Sequence, residues 1–198
     1  MSITEIQQMK VHSSEIPRKM HDIAAGLKDS PSSDQVTIGV QVGNEGAVQI
    51  TSEGSWSNGG HAIFGEPRRS LHVAFNGTLF GTNGPAVANV VEYVANWFPV
   101  SKLTPDYQSQ IESDFQEFDR LIQEGTPNAD RIVFGWSIDP QEHAELDGET
   151  ARCFVIARGW NSMGEFEQTT KTEQFGRAIP ILQAWRMPFE MWHVERRC

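Results

Sequence analysis

The stretch Arg152-Cys153-Phe154-Val155-Ile156-Ala157-Arg158-Gly159-Trp160-Asn161-Ser162 sets the frame for the whole chain. Its apolar run has the composition of a buried strand, and it stops on Gly-Trp-x-Ser. Ser162-Met163-Gly164-Glu165 then has the form of a capping box that opens a helix. A fainter version of the same segment stands in the first half, where Gln49 to Trp56 parallels Cys153 to Trp160. Three more pairs keep the same order. Ile3-Thr4-Glu5 parallels Val90-Val91-Glu92, Ile38-Gly39-Val40 parallels Phe134-Gly135-Trp136, and Leu71-His72-Val73 parallels Trp192-His193-Val194. Ordered self-similarity of this kind marks a duplicated structural unit.

Outward from that stretch, the second half reads as strand 90–100, helix 104–124, strand 131–139, strand 151–160, helix 162–182 and strand 188–196. The first helix rests on Tyr107, Ile111, Phe115, Phe118 and Ile122, behind Thr104-Pro105, an N-cap followed by proline at the first helical position. The second carries Phe166, Phe175, Ile179 and Leu182. The order βαββαβ is the ferredoxin-like unit. The first half gives strand 2–11, helix 14–27 behind a Ser14 cap, and strands 35–42, 47–53 and 69–76. Val36, Ile38, Val40 and Val42 alternate with polar or small residues, the period of a half-buried strand. Its second helix reads as reduced, because Ser57-Asn58-Gly59-Gly60 is poor helix material. The expected organisation is α+β: repeat 1 over 1–76, a linker over 77–88 around Gly81-Thr82-Asn83-Gly84-Pro85, and repeat 2 over 89–198. A single irregular α+β domain with chance echoes is the alternative.

A chain of 198 residues with 38% hydrophobic and 21% charged residues can bury a core without disulfides or a structural metal. Sixteen basic against 26 acidic residues give a formal charge of −10, which argues against nucleic acid or an anionic membrane as partner. No apolar run is long enough to span a bilayer, and Met1 to Ile6 lacks the form of a signal peptide. Cys153 and Cys198 make no disulfide framework. The expectation is a soluble cytoplasmic protein.

Arg152 to Ser162, the acidic and aromatic helix to Phe175, and the closing Met191-Trp192-His193-Val194 strand resemble the antibiotic-biosynthesis-monooxygenase-like (ABM) proteins of the dimeric α/β-barrel superfamily, in their fungal tandem-repeat form. The resemblance covers most of 89–198 and more weakly 1–76. It implies two tandem ferredoxin-like repeats whose sheets pair into a barrel, here as an internal pseudo-dimer, with a further homodimer left open. It also implies cofactor-free chemistry on a hydrophobic aromatic or polyketide-type small molecule held between sheet and helices, in secondary metabolism. Mono-oxygenation leads; a non-redox isomerase or cyclase, or a non-catalytic binding barrel, are the rivals. Some relatives hold heme through a histidine on the second helix, and 162–182 contains none.

By the same resemblance, Trp160 matches a tryptophan at the end of the third strand and Asn96 an asparagine on the first. Together they would form an aromatic wall and a donor to a substrate oxygen; a core aromatic and a strand-end polar residue are the structural alternatives. His193 is the preferred acid/base group, because imidazole titrates near neutrality, and it alternates with Trp192 and Val194. A structural histidine is its alternative reading, and His72 is its counterpart in the first half. Glu92, matched by Glu5, would act as a base with a raised pKa if turned into a barrel, and aid solubility otherwise. Strand parity puts Glu92 and Asn96 on one face without saying which face is interior. Trp136 and Trp56 complete the candidate substrate-binding aromatics. His61 and His143 read as surface loop residues. The cluster Glu142-His143-Ala144-Glu145-Leu146-Asp147 lacks a second histidine at helical spacing, so no metal is expected. Gly77, Gly81 and Gly84 lack the Gly-x-Gly core of a phosphate loop.

Overall fold

A computed structural model describes residues 3–28, 35–53, 63–126 and 129–197. Thirteen elements follow in chain order: β1 (Ile3–Lys10), α1 (Ile16–Lys28), β2 (Val36–Gln41), β3 (Ala47–Glu53), β4 (Arg69–Phe75), β5 (Val90–Pro99), α2 (Pro105–Gly125), β6 (Ile132–Ser137), β7 (Gln141–Glu142), β8 (Thr150–Trp160), α3 (Met163–Thr169), α4 (Glu173–Gln183) and β9 (Phe189–Arg196). The strands run β5-β9-β2-β3-β1-β4-β6-β8, and β8 pairs back onto β5, so eight antiparallel strands close into a barrel. The two-residue β7 adds to β8. Closure satisfies the backbone groups that an open sheet would leave at its edges.

Two glycines make the closure possible. Gly39 faces Arg196 where β2 meets β9, and Gly135 faces Phe75 where β6 meets β4. A Cβ on Gly39 would lie 2.5 Å from the Glu195 carbonyl oxygen, and one on Gly135 would overlap the Ala74 carbonyl oxygen. Neighbouring backbones therefore approach more closely at both seams than any side chain permits.

Strand parity sorts the side chains into two layers. Inside the barrel, Tyr93, Ala95 and Trp97 of β5 meet Cys153 and Val155 of β8, Trp192 of β9 and Leu71 and Val73 of β4. A polar string crosses this interior: Trp192 Nε1 donates to Gln49 Oε1 at 2.7 Å, Gln49 Nε2 donates to Thr51 Oγ1 at 3.1 Å, and Thr51 lies 3.2 Å from the Tyr93 hydroxyl. Burial pushes the Tyr93 phenol up to about 12, so it stays protonated. Outside, Phe98, Phe154, Ile156 and Trp160 pack under Ile111, Phe115, Phe118 and Ile122 of α2, the stripe expected from the sequence.

Three expectations change. Thr104 caps α2 as expected, its Oγ1 accepting from Tyr107 N at 3.2 Å, but the helix expected over 162–182 is two. Thr172 caps the second of these by accepting from Phe175 N at 3.1 Å, which ends α3 and re-aims the chain. Ser14 lies inside a short 3-10 turn ahead of α1 and bonds His12 rather than capping. Residues 77–88, expected as the linker, pack Leu79, Phe80 and Ala86 into the barrel core. The sequence match placed Ser52 against Ile156, whereas Glu5 faces Ser52 and Glu92 faces Arg158, a slip of two residues. The reduced second helix of the first half falls largely in 54–62, outside the described residues.

Candidate functional site

A cavity of about 550 Å³ lies between the outer face of β5, β8 and β9 and the helices α2, α3 and α4. The sheet supplies Glu92, Val94, Asn96, Ile156, Arg158 and Trp160, and the helices supply mainly phenylalanine and aliphatic side chains. Alternation along β5 puts Glu92, Val94 and Asn96 on this face, as parity predicted, and turns Tyr93 and Trp97 inward.

Glu92 is the charged centre of the wall. Its Oε2 accepts from Trp160 Nε1 at 2.9 Å, and Arg158 stands opposite it in register. Burial raises its pKa; the Arg158 charge and the Trp160 hydrogen bond pull the other way without cancelling the rise. Arg158 is itself buried. Its Nη1 donates to the Ala129 carbonyl at 2.9 Å, its Nη2 to Asp119, and its guanidinium lies 5.6 Å from the Trp160 ring. Asn96 is buried on the same strand, and its Nδ2 has no acceptor among the described residues. An amide donor held in this way is equipped to serve an oxygen that enters the cavity.

His193 faces Glu92 across the β5–β9 pair. It is not part of the cavity wall; its ring sits 4.3 Å from Phe166, which is, and its Nε2 has no partner among the described residues. Burial lowers its pKa, so the folded protein holds the neutral ring more strongly than the unfolded chain does. The folded state then binds fewer protons than the unfolded one as pH falls below about 6.5, and stability is lost in that direction. Thermal denaturation between pH 7 and 5 should show this decline. It should flatten in His193→Asn; an equal decline in that variant would assign the loss to other groups.

The remaining sequence candidates lie elsewhere. His72 stays half-exposed on β4, with Nδ1 2.6 Å from Asp139 and Nε2 3.5 Å from Glu5, so it is engaged at the surface and does not line this cavity. Trp136 faces the helices but donates to Glu112 at 2.8 Å and packs on Phe98 and Phe154, away from the cavity wall. Trp56 and His61 lie outside the described residues. His143 is not the surface residue expected of a loop: its side chain is 13% exposed and rests against Trp97. Sequence reasoning passed over Arg158, although a lone cation closing the apolar run Cys153 to Ala157 was a signal of a buried ion pair.

No known protein-family profile matches the chain, and no curated protein does. Solved structures do. A candidate monooxygenase from Lactobacillus acidophilus NCFM superposes with a TM-score of 0.59 at 10% identity, over 98% of this chain and 93% of that one. A candidate chlorite dismutase gives 0.56 at 8% identity over 100% and 96% of the two chains. An anthrone oxidase-like protein gives 0.53 at 12% identity over 100% and 92%. The chain has their fold. At such identities the likeness extends to architecture and leaves chemistry to the site. The helices α3 and α4 turn Phe166, Thr169, Phe175, Ile179 and Leu182 toward the cavity. No helix among the described residues is long and apolar enough to cross a membrane.

Proposed function

We propose that the chain is a cofactor-independent enzyme that oxygenates a hydrophobic aromatic or polyketide-type small molecule in the cavity beside Glu92, and that its halves are tandem ferredoxin-like repeats forming an internal pseudo-dimer. The reading rests on one observation. A buried carboxylate with a raised pKa shares an apolar wall with an unpartnered amide donor, Asn96. The repeat reading is supported by matching seams. Gly39 and Gly135 stand at corresponding places of β2 and β6, and Glu5–His72 and Glu92–His193 are corresponding register pairs.

A substrate methylene flanked by aromatic rings and acidified by a ring ketone fits this wall. Glu92 takes the C–H proton, a task for which a carboxylate with a raised pKa is suited. Trp160 holds the carboxylate in place through its indole N–H. The electron pair left behind delocalises onto the ketone oxygen, and Asn96 Nδ2 donates to the oxyanion as it forms. The carbanion reduces dioxygen and combines with it; loss of water from the resulting hydroperoxide leaves a carbonyl. The sum is CH₂ + O₂ → C=O + H₂O, so the substrate supplies all the electrons. His193, packed against Phe166 and outside the cavity wall, takes no part in the step, and the base role moves to Glu92 itself.

Anthrone-type substrates offered under air and under nitrogen test this. Oxygen uptake with one labelled atom from isotopic dioxygen in the product is the expected result. Glu92→Gln should lower turnover by roughly 10²–10⁴-fold, with the substrate still bound. Turnover that proceeds equally under nitrogen would replace oxygenation by isomerisation or cyclisation. Binding with no turnover across the substrate set would leave a non-catalytic barrel.

A further inference from the structure

A second cavity, of about 470 Å³, opens at one end of the barrel, where β1 ends, β4 begins and β7 lies across the mouth. It involves none of the residues around Glu92. Three of its side chains meet at close quarters. The Arg69 guanidinium lies 5.3 Å from the Trp97 ring and 5.6 Å from that of Trp192, and the His143 ring lies 4.9 Å from Trp97. Each carries a buried nitrogen with no partner among the described residues: Arg69 Nη2, Trp97 Nε1 and His143 Nδ1.

Trp97 makes the case most sharply. Five tryptophans are described. Trp136, Trp160 and Trp185 donate their indole N–H groups to carboxylates, and Trp192 donates to the Gln49 amide. Trp97, 2% exposed, alone has no acceptor. This fold thus gives its other described indoles an oxygen, and a buried donor without one costs folding free energy. Arg69 is half-used in the same way: Nη1 donates to Glu190 at 2.5 Å while Nη2 has no acceptor. Around the cavity stand Lys10, Arg68 and Arg69 against Glu142 and Glu190. That leaves one positive charge unmatched when the neighbouring His143 is neutral. One carboxylate would supply both the missing charge and the missing acceptor oxygens.

We propose that this mouth of the barrel binds a small organic carboxylate, whose oxygens accept from Arg69 Nη2 and Trp97 Nε1, with His143 Nδ1 donating in the tautomer that carries its proton there. The Trp97 indole, against which both the Arg69 guanidinium and the His143 ring pack, gives the site an aromatic wall, which favours a carboxylate carrying a planar hydrocarbon group over a bare inorganic anion.

The test uses the whole protein labelled with nitrogen-15, with sodium benzoate, sodium acetate and inorganic phosphate as probes. The Trp97 indole resonance is assigned by its loss in Trp97→Phe. Benzoate is expected to shift that resonance saturably, with the other indoles moving less, and acetate to do so more weakly. Arg69→Gln should weaken benzoate binding about tenfold or more. Should Trp97→Phe fail to fold, His143→Phe serves as the second variant and is expected to weaken binding while the assignment is made by sequential connectivity. A shift that stays linear in benzoate, or that spreads equally over all indoles, would overturn the site. Saturation by phosphate but not by benzoate would overturn the carboxylate assignment.

Discussion

Replacing Arg158 by alanine is expected to destabilise the fold by about 3–5 kcal/mol. The side chain is 4% exposed, and three partners depend on it. The Ala129 carbonyl accepts from Nη1, Asp119 accepts from Nη2, and Glu92 lies opposite on β5. Without the guanidinium two carboxylates remain in poorly solvated positions with no cation between them. The Glu92 pKa, already raised by burial, would rise further because the Arg158 charge is the larger of the influences that lower it. Urea denaturation of the wild type, Arg158→Ala, Asp119→Ala and the double variant measures this. The double variant should lose less than the two single losses added, since either change alone breaks the same pair. Arg158→Lys should recover little, because one ammonium cannot span both the Ala129 carbonyl and Asp119. Additive losses would show that Arg158 acts by packing over Trp160 rather than by charge.

Gly135→Ala is expected to cost about 1–3 kcal/mol or more, although it adds a single methyl group. The new Cβ would overlap the Ala74 carbonyl oxygen, and backbone cannot rotate out of the way as a side chain can. The β4–β6 seam would have to open. Gly39→Ala should cost less, since part of its clash is with the Val194 side chain, which can change rotamer. Gly176 in α4 is the control: nothing lies within 4 Å of a Cβ there, and alanine should stabilise by up to about 1 kcal/mol. Thermal denaturation of the three variants reads the series. Equal effects at Gly135 and Gly176 would refute close approach at the seam.

The residues show why parts of this molecule were legible in sequence and others were not. Ile111, Phe115, Phe118 and Ile122 announced α2, because one face of that helix is apolar and the other carries charge. Gly39 and Gly135 stood out as matched positions inside strands, though only the register shows that both face a neighbouring backbone. The two faces of β5 resisted reading: both are buried along most of the strand, so alternation could pair Glu92 with Asn96 without saying whether they faced barrel or helices. His143 reads as exposed because it falls in a loop-like, hydrophilic segment, yet its ring turns back onto Trp97. Hydrophilic neighbours predict where the backbone runs; they do not predict where one side chain points. Trp97 itself gave no signal, since the lack of an acceptor exists only in three dimensions.

The position of β9 also sets an order of events. Residues 189–196 pair with β5 on one side and β2 on the other. A nascent chain that has not yet reached Phe189 therefore carries two unpaired strand edges, and the inner surface lacks Trp192, the partner that stacks on Tyr93 at 5.6 Å. Unpaired edges are the part of a sheet most open to pairing with another chain. The barrel becomes safe from such encounters only when β9 emerges, so the ring is closed by the strand that follows its other seven in the chain.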